Sequence, residues 1–168
     1  VTDYHDVICC LQAADKNNAI REVVEKCPVF NDLPDKNEFI QAVMQREQIE
    51  STGIGRGVAI AHGKVRDVGR IRVGLGLSQR GIDFSASDGK PVHLLFVIGS
   101  SPLRQVEYLK TLAAIMRFVK STDVRDELIR HAADVDFNDE KEQRCLDFLH
   151  MMAEQHFAMF FDTQFRNR

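Results

Sequence analysis

One histidine stands where its neighbours could make it reactive, at the end of the stretch Ser51-Thr52-Gly53-Ile54-Gly55-Arg56-Gly57-Val58-Ala59-Ile60-Ala61-His62-Gly63-Lys64. Glycines at 53, 55 and 57 allow successive backbone N–H groups to converge on one anion. The hydroxyls of Ser51 and Thr52 add donors, and Arg46 upstream can bring a guanidinium to the same place. His62 lies between Ala61 and Gly63, so no bulky neighbour crowds the ring. A neutral imidazole nitrogen is a competent nucleophile near pH 7. An imidazole beside an anion cradle is what phosphoryl transfer to histidine requires. One ring nitrogen attacks, the other keeps its proton against an acceptor, and N–H groups stabilise the equatorial oxygens.

The same residues also suit a structural role, with His62 hydrogen-bonded at a strand end and the glycines serving only turn geometry. A nucleotide loop fits less well. The spacing is G-x-G-x-G instead of G-x-G-x-x-G, it follows a helical pattern, and no Gly-Lys-Ser/Thr is present.

The elements that must position these residues can be read from periodicity. Val7 to Leu11 is a short apolar strand; Asp15 caps a helix whose apolar face is Ala19, Ile20, Val23 and Val24 and which ends near Cys27-Pro28. Asp35 caps a second helix, with Phe39, Ile40, Val43 and Met44 inward, that runs out at Arg46-Glu47. Val58 to Ile60 reads as strand. Gly69 to Ser78 alternates Ile71, Val73, Leu75 and Leu77 against Arg72, Gly74 and Gly76, which predicts a half-buried strand. Val92 to Ile98 is a continuous apolar run suited to a central strand covered on both faces. From about Leu103 a helix follows with the stripe Val106, Leu109, Leu112, Ala113, Met116 and Val119, then a short one from Ser121 or Thr122. A last helix opens on Asp139 and Glu142 as a capping box and continues to Phe160. Strands and helices intermingle, which predicts an α/β domain with a mixed β-sheet between helical layers.

With 168 residues, 44% apolar and 28% charged, the chain suits one domain with a real core. A net charge of −3 gives no basic surface for nucleic acid, and no stretch approaches the ~20 apolar residues of a membrane helix. The start Val-Thr-Asp has no basic segment of a secretory signal and no Met, so residues upstream are expected. Cys9, Cys10, Cys27 and Cys145 form no C-x-x-C pair and read as free core thiols of a reducing cytoplasm; His5 beside Cys9 and Cys10 lacks a matching ligand pair. His131, His150 and His156 lie in helical patterns without loop chemistry around them, and His93, inside a strand, reads as structural. No metal or cofactor is implied. The apolar extension at 151–168, with Phe157, Met159, Phe160, Phe161 and Phe165, reads as helical packing, or as a homodimer or partner surface.

The central motif is long enough to carry a resemblance. Arg46-Glu47, then Ser51-Thr52-Gly53-Ile54-Gly55, then Gly57-Val58-Ala59-Ile60-x-His62-Gly63-Lys64 resembles the fructose/mannitol-class IIA domains of the bacterial phosphotransferase system, which include the nitrogen-regulatory IIA proteins. Ile82-Asp83-Phe84, Gly89-Lys90-Pro91-Val92 and the helix from Glu107 to Val119 continue it, over most of residues 1–150. The resemblance implies a single-domain mixed sheet flanked by helices. It implies a cytoplasmic phosphoryl carrier whose His62 accepts phosphate from the phosphohistidine of HPr, with Arg46, Ser51, Thr52, Gly53, Gly55, Arg56 and Gly63 around the phosphoryl pocket. The acceptor would be a IIB cysteine or, for a regulator, a bound target protein.

Three positions depart from the family pattern. Ala61 replaces the usual Pro, and Arg56 replaces a frequent Asn and adds a charge that favours phosphate or redirects partner choice. Tyr108 stands where many members have a second histidine facing the first. A tyrosine donates one hydrogen bond but is neutral at pH 7. The expected function is a standalone nitrogen-regulatory IIA, because no IIB or membrane segment accompanies the domain. The alternatives are a freestanding sugar-specific IIA and a scaffold that no longer carries phosphate.

Overall fold

The computed structural model describes residues 8–120, together with 125, 126, 129 and 130. β1 spans Ile8–Leu11 and is buried along its length. α1 (Lys16–Lys26) starts where Asp15 accepts the Asn18 N–H at 2.9 Å, and α2 (Lys36–Ile49) where Asp35 accepts the Glu38 N–H at 3.0 Å. Each cap satisfies a donor that the first helical turn leaves unpaired. Ala19, Ile20, Val23 and Val24, and then Phe39, Ile40 and Val43, form the buried faces, as the periodicity predicts. Met44 is only partly buried, and Glu47 takes the next inward place. α2 does not stop at Arg46-Glu47 but continues to Ile49.

Four more strands follow: β2 (Gly53–Gly55), β3 (Val58–Lys64), β4 (Arg72–Ile82) and β5 (Val92–Ser100), then α3 (Gln105–Lys120). The sheet order is β1-β4-β5-β3-β2. β1 runs parallel to β4 and β3 parallel to β5; the β4–β5 and β2–β3 pairs are antiparallel. The sheet is therefore mixed, as expected. β5 occupies the centre, with Leu94, Leu95, Phe96 and Ile98 wholly buried.

β4 departs from the half-buried strand read from its alternation: every residue from Arg72 to Ser78 is buried. Its central place in the sheet covers both faces, and the glycines mark close packing instead of solvent. A Cβ at Gly74 would lie 2.9 Å from Val23 Cγ1, and one at Gly76 2.7 Å from Val23 Cγ2, so α1 rests on that strip. Arg72 is buried because its guanidinium pairs with Asp32 and donates to the Val29 and Val68 carbonyls.

α3 is also turned from its expected face. Tyr108, Thr111, Ile115 and Val119 are buried, while Val106 and Leu109 are exposed. Val119 is buried and Leu112 and Met116 pack against the core as the stripe predicts, so apolar residues on more than one face shift the buried side at the start of the helix instead of reversing it. Cys9, Cys10 and Cys27 are buried thiols, with no disulfide among the described residues. The helix expected from Asp139, the 151–168 extension, His5, Cys145, His131, His150 and His156 lie outside the described residues.

Candidate functional site

The position of His62 follows from strand alternation. Successive side chains on β3 point to opposite faces, and Gly63 takes the face on which α2 lies. A Cβ at Gly63 would sit 2.8 Å from Val43 Cγ2 and 3.1 Å from Val43 N; only hydrogen lets helix and strand approach so closely. Gly63 pairs with Gly99 of β5, where a Cβ would meet the Phe39 ring at 3.0 Å. The paired glycines thus form a seat for α2. His62 points the other way, toward α3, where Tyr108 waits with ring centroids 5.5 Å apart and planes tilted by 45°.

β2 pairs with β3 only at Val58 and Ala59. The edge of β3 beyond Ile60 is left to the last turn of α2, and a hollow of about 430 Å³ opens there. Gln45, Arg46 and Ile49 of α2 and His62, Gly63 and Lys64 of β3 line it. Arg46 is held ready by its own helix end: Nη1 donates to the Glu50 carbonyl at 3.0 Å, one of the acceptors a helix C-terminus leaves unpaired. Lys64 donates from Nζ to Gln105 Oε1 at 2.5 Å and lies 4.9 Å from the Tyr108 ring centroid, within cation–π range.

This setting favours the neutral imidazole. Burial lowers the His62 pKa from the usual histidine value, and the charges of Arg46 and Lys64 push it the same way. The Ile60 carbonyl and the Glu47 carboxylate oppose the shift without reversing it. Nδ1 is buried and makes no well-aligned hydrogen bond among the described residues, although the Ile60 carbonyl favours a ring N–H. The half-buried ring lines the hollow, which leaves Nε2 as the nitrogen able to face it. Burial raises the Tyr108 pKa, with Arg46 opposing, so its hydroxyl stays protonated and able to donate.

The remaining expected site residues have partners of their own. Ser51 donates its hydroxyl to the Phe84 carbonyl and accepts the Gly53 N–H at 3.0 Å. Thr52 gives both its N–H, at 3.1 Å, and its hydroxyl to the buried Glu47 carboxylate. Gly55, Arg56 and Gly57 have φ of 87°, 58° and 82°, a left-handed run that closes the β2–β3 hairpin. Such a run does make a nest of amides, but its anion is internal. The Arg56 N–H donates to Asp88 Oδ2 at 2.8 Å and the Lys90 N–H to Oδ1 at 3.0 Å, which lowers the Asp88 pKa. Gly57 to His62 is five strand residues, roughly 16 Å at ~3.3 Å each. The structure therefore brings together His62, Arg46, Gly63 and Tyr108, and sets Gly53, Gly55 and Arg56 on the hairpin, away from the hollow. His93 is tied into the sheet, Nδ1 lying 2.7 Å from the Ser78 carbonyl.

Two residues were missed. Lys64 follows the motif histidine by two, so it shares its side of the strand. Glu47 stands at i+4 from Val43, a carboxylate on an otherwise apolar stripe, which is the signal that marks it. Chemically, the hollow offers an open, uncharged nitrogen flanked by a guanidinium, an ammonium and a phenol, a set suited to an anionic electrophile.

Comparison with known proteins agrees with this chemistry. Residues 1–140 match the family model described as phosphoenolpyruvate-dependent sugar phosphotransferase system, EIIA 2. The chain is 30% identical over 125 residues to the fructose-specific EIIABC component of Bacillus subtilis, covering 74% of this chain and 20% of that protein. It is 32% identical over 122 residues to a nitrogen regulatory protein of Bradyrhizobium diazoefficiens, covering 73% and 79% of the two chains. In fold it resembles the nitrogen regulatory protein IIA-Ntr of Neisseria meningitidis, with a TM-score of 0.65 and 20% identity over 86% of this chain and 93% of that one. No helix among the described residues is long and apolar enough to cross a membrane.

Proposed function

This chain belongs to the EIIA 2 family of the phosphoenolpyruvate-dependent sugar phosphotransferase system, and on that premise we propose that it is a cytoplasmic phosphoryl carrier that takes phosphate from phospho-HPr onto Nε2 of His62. In the transfer, the Nε2 lone pair forms the new N–P bond while the bond from phosphorus to the donor imidazole breaks, and the electron pair leaves with the donor nitrogen. Nδ1 keeps its proton on the Ile60 side throughout. Arg46 swings from the Glu50 carbonyl to the phosphoryl oxygens, Lys64 supplies a second positive charge, and the Tyr108 hydroxyl donates where many family members use histidine. The protein contributes placement and charge, the two factors that dominate phosphoryl transfer.

The observation that carries this reading is the His62 ring, buried at Nδ1 and lining a hollow together with Arg46 and Lys64, a setting that lowers its pKa and so favours the neutral form. Ile49, which lines the hollow, is an exposed apolar residue, as are Leu103 and Val106 beside Gln105 in the chain, and they offer a visiting protein dry contact. On the hairpin, Arg56 acts on partner choice instead of on phosphorus. Incubation with phosphoenolpyruvate, enzyme I and HPr should give an acid-labile phosphate on His62 by mass spectrometry, absent from His62→Ala. No label with active donor proteins would leave the regulatory scaffold as the reading.

The subtype we propose is nitrogen-regulatory, in keeping with a regulatory relative matched over 79% of its own length, although a fructose-specific EIIA component is matched over 75% of its own. The fructose-specific relative favours a second reading, a sugar-specific IIA passing phosphate to a IIB cysteine. Transfer of label from His62 to a IIB domain selects the sugar relay; phosphorylation-dependent binding of a target protein selects the regulator.

A further inference from the structure

The phosphocarrier reading uses His62, Arg46, Lys64 and Tyr108, yet the most buried charge near them belongs to none of these. Glu47 is 3% exposed, on the turn of α2 that also carries Arg46. Its carboxylate accepts the Thr52 N–H at 3.1 Å from one oxygen and 3.2 Å from the other, and it accepts the Thr52 hydroxyl as well. Lys16, in the first turn of α1, places its ammonium 3.7 Å from Oε1. One side chain thus joins α1, the end of α2 and the segment entering β2. Thr52 in turn accepts the Ile60 N–H on its carbonyl at 3.1 Å, two residues before His62. A path of hydrogen bonds therefore runs from the Arg46 turn to the strand that carries the imidazole.

A bare buried carboxylate is costly, and a chain retains one where its bonds fix a geometry. An apolar residue at position 47 would complete the stripe of Ile40 and Val43 without that cost. The segment from 50 to 52 then would have no anchor beyond the sheet, and Arg46 would lose its register against His62.

We propose that Glu47 is a positioning residue for phosphoryl transfer, holding the Arg46 turn against the His62 strand through Thr52 while its negative charge offsets the cations around the imidazole. The inference rests on the phosphocarrier reading for its kinetic consequence but not for its structural one. The groups facing His62 are Arg46 and Glu47 from α2, Lys64 from its own strand and Tyr108 from α3. Glu47 is the acidic member of that set. Removing its charge leaves two cations unopposed, so the ring should become harder to protonate.

The test uses Glu47→Gln, which keeps the shape but loses the charge and one acceptor, with Glu47→Asp as the conservative variant. NMR titration of the His62 ring in the unphosphorylated full chain needs no donor protein. Glu47→Gln should move the midpoint to lower pH, and Glu47→Asp should return it toward wild type. With phosphoenolpyruvate, enzyme I and HPr, Glu47→Gln should slow His62 labelling about tenfold, the scale of a charge-assisted bond reduced to a neutral one. Glu47→Ala, if it folds by circular dichroism, should slow it about a hundredfold, the scale of a ~1 Å misplacement. An unchanged His62 midpoint in Glu47→Gln overturns the assignment, as does an unchanged rate where wild type is labelled. If wild type takes no label, the phosphocarrier reading fails, and the midpoint alone still decides the role of Glu47.

Discussion

Gly63→Ala adds one methyl group at a close approach between α2 and β3. The new Cβ would lie 2.8 Å from Val43 Cγ2, about 0.6 Å inside the 3.4 Å where ordinary contact begins, and 3.1 Å from the Val43 backbone nitrogen. The side-chain clash can relax by a rotation of Val43, but the clash with backbone requires α2 itself to move by a few tenths of an ångström. Overpacking a close-packed site costs ~1–3 kcal/mol, which for a chain of this size lowers Tm by about 2–12 °C. Because α2 carries Arg46, the same displacement should slow His62 labelling, by up to about a hundredfold for a ~1 Å shift. Thermal unfolding by circular dichroism and single-turnover labelling from phospho-HPr read the two effects. Adding Val43→Ala removes the Cγ2 contact but not the backbone contact, so the double variant should recover only part of each loss. Wild-type Tm and labelling rate in Gly63→Ala would refute the claim that this glycine sets the seat of α2.

Arg46→Ala should slow labelling about 10²–10³-fold, the scale of losing one transition-state donor; it should also raise the His62 titration midpoint by NMR, because burial and Arg46 both hold that pKa down. The labelling rate of wild type should fall on acidification with a midpoint below the usual histidine value of about 6.5, since only the neutral ring attacks. Tyr108→Phe should slow labelling and Tyr108→His should preserve it; equal rates in all three proteins would remove the phenol from the site. Asp88→Asn should speed amide exchange at Arg56 and Gly57 while leaving His62 labelling at the wild-type rate. In wild type the Asp88 pKa is lowered, so the hairpin contact is fully present above the ordinary carboxylate range and is lost as pH falls through the lowered value.

Much of this site was legible because the sequence states it locally. The caps at Asp15 and Asp35, the buried faces of α1 and α2, and the β5 run are set by residues close in the chain, and the structure has them where the periodicity puts them. Arg46 and His62 line one hollow because α2 packs directly on β3 at Gly63, although β2 and its hairpin lie between them in the chain. The failures have a shared cause. The glycine run offers a nest by its φ angles, but which anion fills it depends on Asp88, more than thirty residues later. β4 alternates like a half-buried strand, yet Gly74 and Gly76 are small because Val23 presses on them, which only the sheet order reveals. Thr52 looked like a donor for phosphate until Glu47 turned inward to claim it.

Tyr108 gains its meaning from the charges around it, and not from its position alone. Arg46 and Lys64 already place two cations beside His62, and both lower its affinity for a proton. A second histidine at 108, once protonated, would add a third like charge to this half-buried cluster. The phenol gives a donor without that charge, and its face accepts the Lys64 ammonium at 4.9 Å. Lys64 is thereby held between Gln105 and Tyr108 while lining the same hollow as Arg46. A phosphoryl group arriving at Nε2 would then meet one cation from α2 and one from β3, with Glu47 behind them as the counter-charge. On this argument Tyr108→His changes more than one hydrogen bond: it frees Lys64 from the ring. If Tyr108→His labels as well as wild type, the added imidazole must compensate for the ammonium it releases. In that event Lys64→Met should slow Tyr108→His less than it slows the wild-type protein.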